Sequence, residues 1–106
     1  MNGFEVLFMA PEGRRHQGEQ VLEKVISLAS ELGINSYTRR LDTEAQGQNG
    51  RTHSAHFFEL ADRPEEVMFV LDDHHCNELI KVVTAAELPL FCLKRPIEYW
   101  QLGATT

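Results

Sequence analysis

The sequence predicts an α+β domain in which four strands form one antiparallel sheet and two helices cover a single face of it. Three observations carry that expectation. Residues 4–9 (FEVLFM) and 66–71 (EVMFVL) are short, nearly continuous apolar runs, long enough for strands buried inside a sheet and too short for helices. Each is followed by a stretch whose apolar residues recur at helical spacing. Proline and glycine then separate these pieces from weaker β-type segments.

The first run reads as a central strand, covered on both faces. After the breaker Pro11-Glu12-Gly13, apolar residues at Val21, Val25, Leu28 and Leu32, flanked by Leu22, Ile26 and Ala29, form one helical stripe, with Gly33 as its C-terminal cap. Residues 36–41 (SYTRRL) alternate as a partly solvated strand does, so Arg39 and Arg40 are expected to point to opposite sides. Residues 42–51 (DTEAQGQNGR) are polar, rich in glycine and without periodicity, the signature of a flexible loop extending to about residue 54.

Residues 56–60 (HFFEL) and 66–71 are two strand-like pieces, between which Pro64 is expected to end ladder pairing or mark a bulge. Asp72 or Asp73 can cap the second helix, whose apolar positions Cys76, Leu79, Ile80, Val83 and Ala86 run until Pro89 forbids continuation. A last strand begins at Leu90, and Pro96 places its remainder at a sheet edge. The order strand, helix, strand, loop, strand, helix, strand is the split βαβ, ferredoxin-like arrangement, βαββαβ. Helices on one face leave the other bare, so association of identical copies through that face is expected, with Phe57, Phe58, Tyr99 and Trp100 nearby.

The chain has 106 residues with 42% apolar content, room for one domain, residues 1–106, with a modest core that needs no metal or disulfide staple. A formal charge of −6 argues against nucleic acid as the main partner. The first ten residues lack a basic start and carry Glu5 within their apolar run, so no secretory signal is predicted and a cytoplasmic, reducing location is expected. No apolar stretch approaches the roughly 20 residues that cross a bilayer, so direct membrane insertion is not expected.

Several stretches resemble the PII-like proteins, in particular a widespread bacterial group of them. They are Arg14-Arg15-His16, the helix ending Glu31-Leu32-Gly33-Ile34, and above all Gly50-Arg51-Thr52-His53-Ser54-Ala55-His56-Phe57-Phe58-Glu59-Leu60. The ending Glu98-Tyr99-Trp100 is similar to the last strand of another PII-like subgroup. The resemblance implies a homotrimeric signalling protein with inward-facing sheets, small ligands, often adenine nucleotides, in clefts between subunits, and a long loop that reaches a transporter or an enzyme. Asp42, Glu44, Gln46, Gly47, Gln48, Asn49 and Gly50 lie where that partner-binding loop belongs. The chain departs from the nitrogen-regulatory members in two places. Thr84-Ala85-Ala86-Glu87-Leu88-Pro89-Leu90 stands where their phosphate loop carries glycine and lysine, and the long loop lacks their modifiable tyrosine.

Seven of the ten basic residues fall in four clusters, Arg14-Arg15, Arg39-Arg40, Arg51 and Lys94-Arg95, which suggests an anionic ligand, with His16 and His53 beside them. Arg14, Arg15 and His16 would precede a helix N-terminus, where free N–H groups and the helix dipole favour negative charge, and arginine pairs bidentately with phosphate or carboxylate. Solvated charges balanced by sixteen acids are the plainer account of the same residues. His53, His56, His74, His75 and Cys76 could ligate zinc or copper, as in the divalent-cation-tolerance relatives, although their spacing matches no structural zinc pattern. Cys76 and Cys92 fall on predicted core faces. No nucleophile elbow, P-loop or His-Glu-x-x-His helix is present, so no enzymatic role is expected beside the regulatory one that the resemblance implies.

Overall fold

The computed structural model describes residues 1–42 and 63–103. Its elements are β1 (Asn2–Pro11), β2 (Arg15–His16), β3 (Glu19–Gln20), α1 (Val21–Glu31), β4 (Thr38–Leu41), β5 (Pro64–Leu71), α2 (Asp73–Ala85) and β6 (Phe91–Glu98). Strands β4, β5, β1 and β6 form one sheet in that spatial order, every neighbouring pair antiparallel. This is the ferredoxin-like α+β fold. The strand expected at residues 56–60 lies outside the described residues.

Strand alternation sorts the residues of β1 between two faces. Val6, Phe8 and Ala10 join Val67, Phe69 and Leu71 of β5 beneath Val21, Leu22, Val25 and Ala29 of α1 and Cys76, Leu79 and Val83 of α2. Phe8 and Phe69 meet edge to face, with ring centres 5.9 Å apart. On the other face, the register sets Leu7 between Met68 and Leu93, and Met9 between Glu66 and Phe91. Leu7 and Met9 are buried within the single copy, which corrects the expectation of a wholly bare face. Exposure on that side belongs to its margins, as at Val70, 43% exposed.

The helix ends follow their sequence signals. Gly33 takes a φ of +82°, its N–H donates to Ser30 and that of Ile34 to Ala29, and the buried Ile34 closes over Ala29 in a Schellman cap. Asp72 caps α2, accepting the His75 amide at 2.8 Å. Two local expectations need correction. Arg14, Arg15 and His16 do not run directly into α1, because β2 and β3 form a hairpin whose turn residues Gln17 and Gly18 both have positive φ, the geometry that matches strand twist. Pro64 does not end the ladder but begins β5 opposite Pro11, a first-residue position that tolerates a missing N–H. Pro96 lies within β6, which is an edge strand as expected.

The chain leaves α2 through Glu87, which adopts a φ of +55° while its N–H bonds to Thr84. A side chain is strained there, whereas glycine is not. Glu87→Gly is therefore expected to stabilise the fold by about 1 kcal/mol in urea denaturation; unchanged or lowered stability would contradict the assignment.

Candidate functional site

The clusters of positive charge are distributed over both edges and one end of the sheet. Arg39 and Arg40 lie on the β4 edge and Lys94 and Arg95 on the β6 edge, with β5 and β1 between them, so one copy cannot close both clusters around a small ligand. Arg14 and Arg15 follow the end of β1. Arg51 and His53 are outside the described residues, as are Glu44, Gln46, Gly47, Gln48, Asn49 and Gly50 of the expected partner loop. Asp42 is described and buried, its N–H donating to the Pro64 carbonyl at 2.8 Å where the β4–β5 ladder closes, so it is not an open loop position.

Three of the six described arginine and lysine candidates are already matched to acids on neighbouring elements. Arg39 faces the helix layer, where it pairs with Glu23 of α1 and with Glu65 at 2.9 Å. The Glu23 carboxylate raises the Arg39 pKa above its ordinary value, against the opposing effect of burial. Arg40 points to the other face and meets Glu66 at 3.0 Å, as the strand alternation predicts. Arg95 pairs with Glu5 directly across the ladder. Lys94 lies 4.5 Å from the centre of the Phe4 ring, a cation–π contact rather than an ion pair.

Arg14 and Arg15 differ from these. Among the described residues no carboxylate pairs with either one. Arg15 donates to the Gly18 carbonyl at 2.7 Å across its own hairpin turn, and Arg14 is exposed and fixed through its backbone, accepting the Val21 N–H at 2.9 Å. His16 is half-buried opposite Glu19. No side chain caps α1, so its first turn begins beside this basic hairpin without a carboxylate at the N-cap.

The segment after α2 packs against the core through Leu88 and Leu90. With Phe8, Ile80 and Val83 they wall a cleft of about 280 Å³ whose polar groups include Glu87 and Thr84. Cys92, expected in the core, lines this cleft and is exposed, because β6 is an edge strand that α2 does not fully cover. Cys76 is fully buried, and desolvation pushes its thiol pKa up.

The metal alternative finds no assembled site among the described residues, where no three His, Cys, Asp or Glu side chains converge. Cys76 points into the core while His74 is exposed and His75 Nδ1 lies 2.9 Å from Asp72. His53 and His56 lie outside the described residues. Among the described residues, no helix is long and apolar enough to cross a membrane.

No family model matches the chain, and no curated protein is similar to it in sequence. Its architecture is nevertheless known: the described sheet and helices share their fold with solved structures. One solved structure that shows this is CPII from Thiomonas intermedia K12 bound to ADP, AMP and acetate. It superposes with a TM-score of 0.66 over 94% of this chain and 90% of that one, at 11% sequence identity.

Bonding from the His75 amide and imidazole holds the Asp72 carboxyl below its ordinary pKa. The charged form is favoured in the folded state, so its stabilisation is present above the unfolded value of about 3.9 and is lost as pH falls through the lower folded value. Denaturation of the wild type and Asp72→Ala across pH should show a gap that is constant near neutrality and shrinks in acid; a gap that widens in acid would contradict the cap.

Proposed function

We propose that the chain is a PII-like regulator, a homotrimer of the cytoplasm that senses a small anionic ligand, an adenine nucleotide, and passes the signal to a protein partner. The observation that carries the reading is the Arg14-Arg15 hairpin, two cations without carboxylate partners among the described residues beside a helix start that has no side-chain N-cap bond, on a fold that CPII uses with ADP and AMP bound. The sheet edges bear the other described basic clusters, so a second copy is needed to bring Lys94 near β4. Arg39, Arg40 and Arg95 then serve the frame rather than the ligand, since each would have to release a carboxylate first. The partner is a transporter or an enzyme reached by the chain that joins β4 to β5.

Ligand binding supplies regulation only if the two states differ in their contacts with it. At the hairpin, Arg14 can gain a phosphate without losing an ion pair among the described residues, and regulation further requires a second state in which that contact is weaker. The absence of glycine and lysine from residues 84–90 removes the phosphate loop of the nitrogen-regulatory proteins, which favours recognition by few cations and makes AMP or ADP a better candidate than ATP.

Calorimetric titration with AMP, ADP, ATP and cyclic nucleotides tests this. At least one should bind, and Arg14→Ala and Arg15→Ala should each weaken it about tenfold or more, the loss expected for a charged hydrogen bond. Absence of heat with every nucleotide would remove the nucleotide reading.

A further inference from the structure

The start of β1, the start of α2 and the end of β6 enclose a groove of about 400 Å³, at the end of the sheet opposite the Arg14-Arg15 hairpin. Phe4, Pro96 and Ile97 give it apolar walls, and Asp73 and Glu98 add carboxylates. Gly3 lies in the same lining, where any Cβ would collide with the Leu71 carbonyl and press on the Tyr99 ring.

Beside this groove stands an exposed apolar tail. Trp100, the only tryptophan in the chain, is 67% exposed, and Leu102 is 87% exposed. The tail is not loosely attached. The Met1 ammonium donates to the Tyr99 carbonyl at 2.9 Å, and the Tyr99 N–H returns a bond of 2.9 Å to Met1. This clamp holds the chain one residue before Trp100, and directs the indole into water although a groove of suitable size adjoins it.

We propose that in the assembled protein Trp100 of one copy inserts into this groove of a second copy. The chemistries match. Indole is a large apolar ring with a single N–H donor and no acceptor, and the groove offers apolar walls with carboxylates, which only accept. Its volume falls within the roughly 300–1,000 Å³ of ordinary binding pockets. Tail and groove adjoin on one copy, so a rotation axis near the end of β6 seats every tail in a neighbouring groove and closes a ring, leaving no tail unfilled. The inference goes beyond the regulator reading and requires only that copies associate, so it stands or falls apart from nucleotide binding.

With one tryptophan, intrinsic fluorescence reports this contact directly. At high protein concentration Trp100 emission should be blue-shifted and protected from acrylamide, and dilution that dissociates the assembly should return it to that of water-exposed indole. Trp100→Ala and the surface reversal Glu98→Lys should each weaken association about tenfold or more, the loss expected of a buried aromatic anchor or its rim partner, with circular dichroism unchanged. A synthetic peptide of residues 98–103 should bind Trp100→Ala, and bind more weakly when Ile97→Asp is added. A water-exposed emission in the assembled protein overturns the proposal. So does a monomer at every concentration, or a protected indole whose signal neither Glu98→Lys nor Ile97→Asp alters.

Discussion

The double ladder of β1 is the constraint on which the remaining structure depends. This strand is hydrogen-bonded to β5 on one side and to β6 on the other, in registers that place Val6 between Phe69 and Lys94, and Leu7 between Met68 and Leu93. A slip of one residue in either ladder would exchange the faces of the slipped strand and move its apolar residues off the helix layer. The same registers decide the electrostatics. Arg95 meets Glu5, and Arg40 meets Glu66, because the ladders set them directly opposite.

That arrangement divides the basic residues into two groups with different consequences. Arg39, Arg40 and Arg95 are matched by acids, and Arg39 ties β4 to both β5 and α1 through Glu65 and Glu23. Such exposed pairs each contribute little to stability, but they hold β4 in place at the mouth of the connection to β5. Among the described residues the hairpin cations have no such partners, which leaves them available to an anion. The centre of the sheet is committed to packing, and the proposed function falls to its ends and edges.

Much of the fold was legible in the sequence because it depends on period and punctuation. The run at residues 4–9, the stripes of α1 and α2, Gly33 and Asp72 each stand where pattern alone places them. The β2–β3 hairpin was missed because two-residue strands carry no periodicity, and Gln17-Gly18 is a weak turn signal beside Asn-Gly. Pro64 misled because a proline says where an N–H is lacking and not whether the ladder needs one there. The site was less legible than the fold. Which arginine meets which carboxylate is set by register, a long-range property, and the exposure of Cys92 depends on how far α2 reaches across an edge strand. The basic clusters were visible; their division into paired and unpaired groups was not.

One copy supplies only part of the proposed site, since Arg39-Arg40 and Lys94-Arg95 lie on opposite edges of a sheet whose centre is already filled. Light scattering coupled to size exclusion measures the consequence most directly. The account predicts a particle of three times the 12.1 kDa chain mass at micromolar concentration. A single 12.1 kDa species under those conditions would contradict it.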